Sequence, residues 1–290
     1  MVGDLTFRRF WCISKVRKQC GKGLIAMDTT TFYPATNDVV FKAVFGSDKK
    51  ILMGFLNQVL GLSIKSPEDI TVLNPEIPTD YADWKQSRLD IRAKTNDEQV
   101  NIEMQVESMD YYAERTIIYQ SKMITDDMKK GANYDKLKKT ISINLLDYNM
   151  FDTEDFYSCF LPIEEKRHEV LSDKWQIVFF ELNKIGKTEP TEQKQWLRLL
   201  KSGKEEVEML KMDGNEYLRA CAEKILSVNA DEHLRVQAEM REKARADYNT
   251  SISSALQKGR AEGRAEERES LIAKWKAKGM SDEDIKNLLE

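Results

Sequence analysis

Apolar and polar residues alternate along two neighbouring segments of the chain, at residues 88–94 and 99–107. The apolar positions are Leu89, Ile91 and Ala93 in the first segment, and Val100, Ile102, Met104 and Val106 in the second. A period of two is typical of β-strands that bury one face. The residues between the segments, Thr-Asn-Asp-Glu, have the composition of a tight turn. The pattern therefore predicts an antiparallel hairpin of two half-buried strands.

The register of this hairpin follows from its turn. We expect a two-residue loop at residues 96–97, so that Thr95 faces Glu98. The same count places Asp90 directly opposite Glu103. Carboxylates that face each other across a sheet repel, so the pair is unfavourable unless a cation lies between them. Oxygen ligands of this kind suit Mg²⁺ or Mn²⁺, whereas a solvated sheet face without a metal remains the alternative interpretation.

Apolar periodicity assigns most of the remaining chain to helices and strands. Helices are predicted at residues 38–45, 50–60 and 111–130, and further strands at residues 70–73, 140–146, 156–161 and 175–182. After about residue 187 the pattern is helical, and it includes one long charged stretch at residues 231–268. This order of elements predicts a mixed α/β (α+β) fold with a helical C-terminal region.

Two of the predicted helices carry polar side chains at helical spacing. Asp38 and Lys42 are four residues apart, which fits a surface ion pair worth a few tenths of a kcal/mol. The alternative is that Asp38 points from its helix towards the metal. On the helix that follows the hairpin, one face carries Arg115, Tyr119 and Lys122.

Composition narrows the class of protein. The 290 residues are 41% hydrophobic and 32% charged, and no apolar run approaches the length of a membrane span. The net charge of −4 means that nucleic-acid binding would need a local basic patch. Four scattered cysteines without a CxxC motif, and only two histidines, predict neither structural zinc nor a disulfide framework. A reduced cytoplasmic protein without a membrane segment is the simplest interpretation.

The first 26 residues differ from the rest of the chain. They are basic and aromatic, and they lack the apolar run of a signal peptide. Two interpretations stay open: a basic arm that contacts nucleic acid, and an extension upstream of a true start at Met27. We therefore expect an N-terminal extension at residues 1–26, a core domain at residues 27–187 and a helical C-terminal region at residues 188–290.

Four features occur together in a fixed order: TNDVVFKAVFG, then RLDI, then NIEMQV, then a helix with Arg115 and Tyr119. In this combination, over about residues 32–185, the chain resembles the Rpn family of recombination-promoting nucleases, a branch of the PD-(D/E)XK nuclease superfamily. The resemblance implies a restriction-endonuclease-like core, in which a mixed central sheet is flanked by helices in the order αβββαβ. It also implies a metal-dependent DNA endonuclease, linked to DNA recombination or mobile elements.

The resemblance carries over to single positions around the hairpin. Asp90 resembles the motif aspartate and Glu103 the motif glutamate, which hold the metal with the backbone carbonyl of Met104. Asp38 resembles an acidic position on the first helix and is a further candidate ligand. Gln105 stands where most of the superfamily has lysine, and we expect it to orient the attacking water.

The remaining candidates are substrate contacts. Arg115 and Tyr119 resemble helix positions of the family, and Lys42 and Lys122 are added as basic residues on neighbouring helices. Because Gln105 is uncharged, Lys122 is a candidate for the positive charge that the superfamily's lysine supplies. A metal ion here, Mg²⁺ or Mn²⁺, would activate a water for hydrolysis of DNA.

Two alternatives to an active nuclease stay open. A decayed nuclease would keep the fold and bind DNA without cutting it, and an interaction module would act through the helical tail. Gly259 and Gly263 lie four apart on a charged helix, so we expect a homo-oligomer, most simply a dimer, through the C-terminal helices. No sequence-reading helix is recognisable, so strand transfer by a true transposase is not indicated.

Overall fold

A mixed β-sheet with helices on both faces forms the body of the protein. The computed structural model describes residues 31–74, 76–77, 87–88, 90–128, 133–186 and 191–289. The predicted extension at residues 1–26 lies outside the described residues, as does Leu89 of the predicted hairpin. All the helices and strands described below belong to one structural unit, residues 32–290.

The helices and strands follow the predicted order closely. The helices are α1 (Asp38–Phe45), α2 (Lys49–Leu60), α3 (Tyr112–Asp127), α4 (Glu192–Lys201), α5 (Lys204–Asp213), α6 (Glu216–Ala230), α7 (Glu232–Ala277) and α8 (Asp282–Leu289). The strands are β1 (Thr71–Leu73), β2 (Glu76–Ile77), β3 (Ser87–Arg88), β4 (Ile91–Lys94), β5 (Glu98–Gln105), β6 (Lys139–Leu146), β7 (Tyr157–Phe160) and β8 (Trp175–Glu181). The predicted α/β fold, a mixed sheet flanked by helices with a C-terminal helical extension, is confirmed.

The main sheet has six strands in the order β1-β4-β5-β6-β8-β7. Strands β5, β6 and β8 run parallel, while β1 and β4 on one side and β7 on the other pair antiparallel. Helix α3 makes the crossover that parallel pairing of β5 and β6 requires. The prediction of one continuous strand from residue 88 is wrong, because Arg88 pairs with Glu76 in a separate ribbon of β2 and β3.

The hairpin of β4 and β5 has the predicted register. The Thr95 N–H donates to the carbonyl of Glu98 at 2.8 Å, which closes the two-residue loop. Asp90 comes immediately before β4, and its N–H donates to Oε1 of Glu103 at 3.2 Å. The turn chemistry of the sequence is therefore sufficient to bring the two acids together.

One face of the sheet covers the main hydrophobic core. Helices α1 and α2 fill this core together with α4 and α6 from the C-terminal region. The ring of Phe55 lies edge-on to Phe45 at 5.2 Å and to Trp196 at 5.7 Å between centroids. A Cβ on Gly54 would lie 2.5 Å from the Cβ of Tyr217, so glycine lets α2 and α6 approach closely.

The other face of the sheet is polar but is not solvated. Gln99 and Asn101, on β5, are 0% and 1% exposed, so the alternative of a solvated face is wrong here. Helix α3 covers these residues, and Nε2 of Gln99 donates to the carbonyl of Met123 in that helix at 2.8 Å. Gln120 donates to the carbonyl of Thr140 at 2.7 Å and accepts from the hydroxyl of Ser142 at 2.7 Å. Buried hydrogen bonds therefore form much of this layer, beside a small apolar cluster of Tyr112, Leu146, Ile177 and Phe179.

Helix α3 is consequently oriented differently from a simple amphipathic helix. It buries Thr116, Gln120 and Met123, whereas Ile117 and Ile118 are 47% and 54% exposed. The polar face of the sheet needs hydrogen-bonding partners, so the helix turns its polar stripe inwards. Ile117 and Ile118 therefore do not form an apolar packing face of α3.

The first turns of α7 are attached to α1. Asn37 caps α1, because its Oδ1 accepts from the N–H of Val39 at 3.0 Å. The Nδ2 of the same side chain donates to the carbonyl of Ala238 at 3.2 Å and to Glu242 at 2.9 Å. Further along α7, residues 246–271 are all exposed. Within the described ranges, no helix combines the length and the apolar composition that crossing a bilayer requires.

Candidate active site

A cleft of about 940 Å³ opens where α1, the hairpin, α3 and α7 meet. It brings together most of the predicted site residues, namely Asp38, Lys42, Asp90, Glu103, Met104, Gln105 and Arg115. About three turns of α7, from Leu234 to Ala244, form the opposite wall, although nothing in the sequence assigned them to the site. The cleft therefore combines a wall from the hairpin and a wall from the C-terminal helix.

The two hairpin acids converge at the bottom of the cleft. Oδ2 of Asp90 accepts from the N–H of Met104 at 3.0 Å. Oε1 of Glu103 accepts from the N–H of Asp90 and from Nδ2 of Asn101, each at 3.2 Å. Each carboxylate is thus anchored to the backbone of the other strand. Both side chains lie on the same side of the sheet, as a shared cation would require.

The environment of Glu103 opposes its ionisation. Burial, and then the negative charge of Asp90, raise the pKa of Glu103 to about 8, although the Asn101 hydrogen bond and Arg115 act in the opposite direction. Only 6% of Glu103 is exposed. Without a further cation the carboxyl therefore keeps its proton at neutral pH. A divalent ion that bound here would relieve the repulsion and displace that proton.

Lys42 brings a positive charge to the same place. Its Nζ lies 2.5 Å from Oδ1 of Asp38 and 2.9 Å from Oδ1 of Asp90. Burial alone would lower the pKa of Lys42, but the carboxylates of Asp90 and Asp38 outweigh it and raise the pKa overall. The lysine is therefore a cation at neutral pH. It bridges α1 to the hairpin, so the interpretation of Asp38 and Lys42 as a simple surface pair is too narrow.

The donor set fits a divalent ion held by few protein ligands. Among the described residues, no group of three or more His, Cys, Asp or Glu side chains could hold a metal. Asp90 and Glu103 supply two hard oxygen ligands, and the carbonyl of Met104 is the predicted third. Mg²⁺ characteristically takes one or two carboxylates and completes its shell with water and phosphate oxygens. Asp38 instead contacts Lys42 and Arg241, which makes it their counter-ion.

The other predicted contacts differ in how close they lie to the cleft. Gln105 lines the cleft, and its Nε2 donates to the carbonyl of Glu107 at 2.9 Å. Arg115 also lines it, with the guanidinium carbon 5.0 Å from the ring centre of Tyr119. Tyr119 thus packs behind Arg115, while Lys122 lies about two turns further along α3 and is not among the cleft-lining residues.

Sequence reasoning missed the residues that α7 contributes. Arg241 places Nη2 3.1 Å from Oδ2 of Asp38, and Arg245 places Nε 3.5 Å from Oε1 of Glu107. Both arginines line a second groove of about 320 Å³, which adjoins the cleft and ends at Tyr248. The four-residue spacing of the arginines marks one helix face, but nothing local indicates that this face meets the hairpin.

A family model described as PD-(D/E)XK nuclease family transposase matches residues 35–255. No curated protein and no solved structure shows a significant match to the chain. The predicted family resemblance is confirmed, and the match extends well beyond residue 185 into the first half of α7.

Proposed function

The chain belongs to the PD-(D/E)XK nuclease family transposases, and from this membership and the cleft geometry we propose that it hydrolyses phosphodiester bonds in DNA with a divalent metal ion. One observation carries the proposal. Asp90 and Glu103 come from adjacent strand positions and are fixed by reciprocal hydrogen bonds, so that both carboxylates converge in an open cleft. Burial, and then the charge of Asp90, raise the pKa of Glu103, so a cation bound between the two carboxyl groups would be favoured.

The proposed ligands are the carboxylates of Asp90 and Glu103 with the carbonyl of Met104. When bound there, Mg²⁺ or Mn²⁺ supplies a hydrolytic water of lowered pKa and neutralises charge on the attacked phosphate. Glu103 would have to give up its proton to bind the ion. The N–H groups of Asp90 and Met104 would help to hold the two carboxylates in position for the ion.

Three further side chains act on water and phosphate in this proposal. Gln105 orients the attacking water through its amide. Lys42 supplies the positive charge that Gln105 lacks, because its ammonium lies 2.9 Å from Asp90 and stays protonated. Arg115 stabilises the phosphate as a charge clamp, with its guanidinium supported by the ring of Tyr119.

A plasmid-cleavage assay tests this proposal. We expect supercoiled DNA to be cut in Mg²⁺ or Mn²⁺ and to stay intact in EDTA. Asp90→Ala and Glu103→Ala should each reduce the rate by several orders of magnitude, because each removes a metal ligand. Asp97→Ala, which changes an exposed acid in the loop of the same hairpin, is the matched control and should cut normally. Metal-independent cutting would contradict the proposal.

The uncharged Gln105 favours a second candidate function, that of a protein that binds DNA but has lost cleavage. The same assay separates the two candidates when DNA binding is measured beside it by fluorescence anisotropy. Binding without cutting in either metal would select the second candidate. Cutting that disappears with Asp90→Ala would exclude it.

We also propose that two chains associate through the exposed part of α7, residues 246–271. Residues 246–271 are exposed, and Ile252 and Leu256 present apolar side chains there. A Cβ on Gly259 or Gly263 would meet nothing within 4 Å in the chain itself. Light scattering should give a dimer mass for the full chain and a monomer mass for a variant with charged residues at Ile252 and Leu256. A monomeric full chain would contradict the association.

A further inference from the structure

Four charged side chains form a continuous series from helix α7 to the hairpin. Nη2 of Arg241 lies 3.1 Å from Oδ2 of Asp38, and Oδ1 of Asp38 lies 2.5 Å from Nζ of Lys42. The same Nζ lies 2.9 Å from Oδ1 of Asp90. Positive and negative charges alternate along the series, so each interior member is held from two sides. The series joins the wall of the cleft that sequence reasoning missed to the predicted metal ligand.

Helix α1 fixes the relative positions of Asp38 and Lys42, the two middle residues of the series. Asp38 and Lys42 are four residues apart on α1, which places their side chains one above the other on the same helix face. Asp38 also lies in the first turn of α1, where the helix dipole favours a negative charge. The crossing of α1 and α7 is fixed beside them, because Asn37 hydrogen-bonds to the carbonyl of Ala238, one turn before Arg241.

We propose that Arg241 is a positioning residue of the active centre, which holds Lys42 against Asp90 by way of Asp38. The proposal rests on the proposed function for what Lys42 then does. In the present arrangement Asp38 shares its charge between two cations. If Arg241 is removed, Lys42 is the only cation of this series that still contacts Asp38. We then expect Asp38 to attract the Lys42 ammonium more strongly and to draw it away from Asp90. The Lys42 side chain is 36% exposed, so it has room to move.

Proton NMR of the lysine ammonium groups tests the coupling in the metal-free protein. The Lys42 signal, identified by its absence in Lys42→Met, should be protected from exchange because two carboxylates hold the ammonium. Arg241→Gln should shift this signal or broaden it by faster exchange. Arg219→Gln is the matched control, because Arg219 is an exposed arginine on α6 that does not line the cleft. An unchanged Lys42 signal in folded Arg241→Gln would overturn the proposal.

A double-mutant cycle on cleavage gives the second readout. If Arg241 acts through Asp38, Arg241→Gln should lower kcat roughly tenfold with little change in KM for DNA, since only a positioning contact is lost. In an Asp38→Asn background the same change should have almost no effect. Arg241→Lys, which keeps the charge and serves if the glutamine variant folds poorly, should recover part of the rate.

The competing explanation gives a different result. The side chain of Arg241 is 63% exposed, so direct contact with a DNA phosphate is the alternative. In that case KM would rise, and the effects of Arg241→Gln and Asp38→Asn would add, which would overturn the positioning role. Absence of cleavage in the wild-type protein would refute the proposed function alone. The ammonium spectrum would still decide whether Arg241 positions Lys42.

Discussion

The two walls of the cleft hold their charged residues in different ways. On the hairpin, Asp90 and Glu103 are anchored by backbone N–H groups and Glu103 is almost fully buried. On α7, Arg241 and Arg245 are held by half-exposed acids, namely Asp38 on α1, Glu107 after β5 and, for Arg245, also Glu242 of the same helix. Exposed ion pairs contribute only about 0–1 kcal/mol and are screened by salt. The hairpin is therefore suited to fix the chemistry, and α7 to adjust it.

Lys42 lies between the hairpin and α7, and substituting it tests whether the catalytic cation belongs to this part of the cleft. Lys42→Met should lower the cleavage rate about a hundredfold, because it removes the cation beside Asp90. Lys122→Met should leave the rate unchanged, because Lys122 is not among the residues that line the cleft. Steady-state cleavage of a defined duplex measures both. The opposite result would mean that Lys122 on α3 supplies the catalytic cation, as predicted from the sequence.

A smaller effect concerns the stability of the hairpin wall. In the folded, metal-free protein Glu103 keeps its proton up to about pH 8, whereas in the unfolded chain it ionises near its ordinary value of 4.5. Between these pH values the folded state binds more protons than the unfolded state, so stability falls as pH rises. Glu103→Gln should lack this loss and become the more stable protein towards pH 8.

Urea unfolding in EDTA, at several values between about pH 5 and pH 8, measures the difference between Glu103→Gln and the wild type. The two proteins share all other titrating groups, so the pH dependence of the difference reports on Glu103. A difference that stays constant over this range would show that Glu103 ionises normally. It would then remove the strongest electrostatic sign that the two acids need a cation.

The hairpin side of the cleft could be predicted from the sequence, whereas the α7 side could not. Alternation and a four-residue turn are local signals, so the register of β4 and β5 and the meeting of Asp90 with Glu103 were accessible. Asn37 and Ala238 are 201 positions apart, and no periodicity indicates which face of a long charged helix meets them. The position of Arg241 at the cleft depends on that tertiary contact.

For helix α3, residue spacing alone did not predict which side chains reach the cleft and which are buried. Helical spacing placed Arg115, Tyr119 and Lys122 on one face, which was geometrically sound, but the cleft meets only the first turns of that helix. The exposure of Ile117 and Ile118 has a related cause. The polar face of the sheet selects polar partners, and this tertiary requirement overrides the expectation that isoleucines are buried.

Metal binding tests the central claim, that Asp90 and Glu103 share one divalent ion, more directly than cleavage does. Calorimetric titration of the metal-free protein with Mn²⁺ should give one ion per chain. Binding should weaken at least about tenfold in Asp90→Asn and in Glu103→Gln, because each loses a charged ligand. Asp97→Asn in the same hairpin should bind as the wild type does. Wild-type affinity in both ligand variants, or no Mn²⁺ binding by the wild type, would contradict the account.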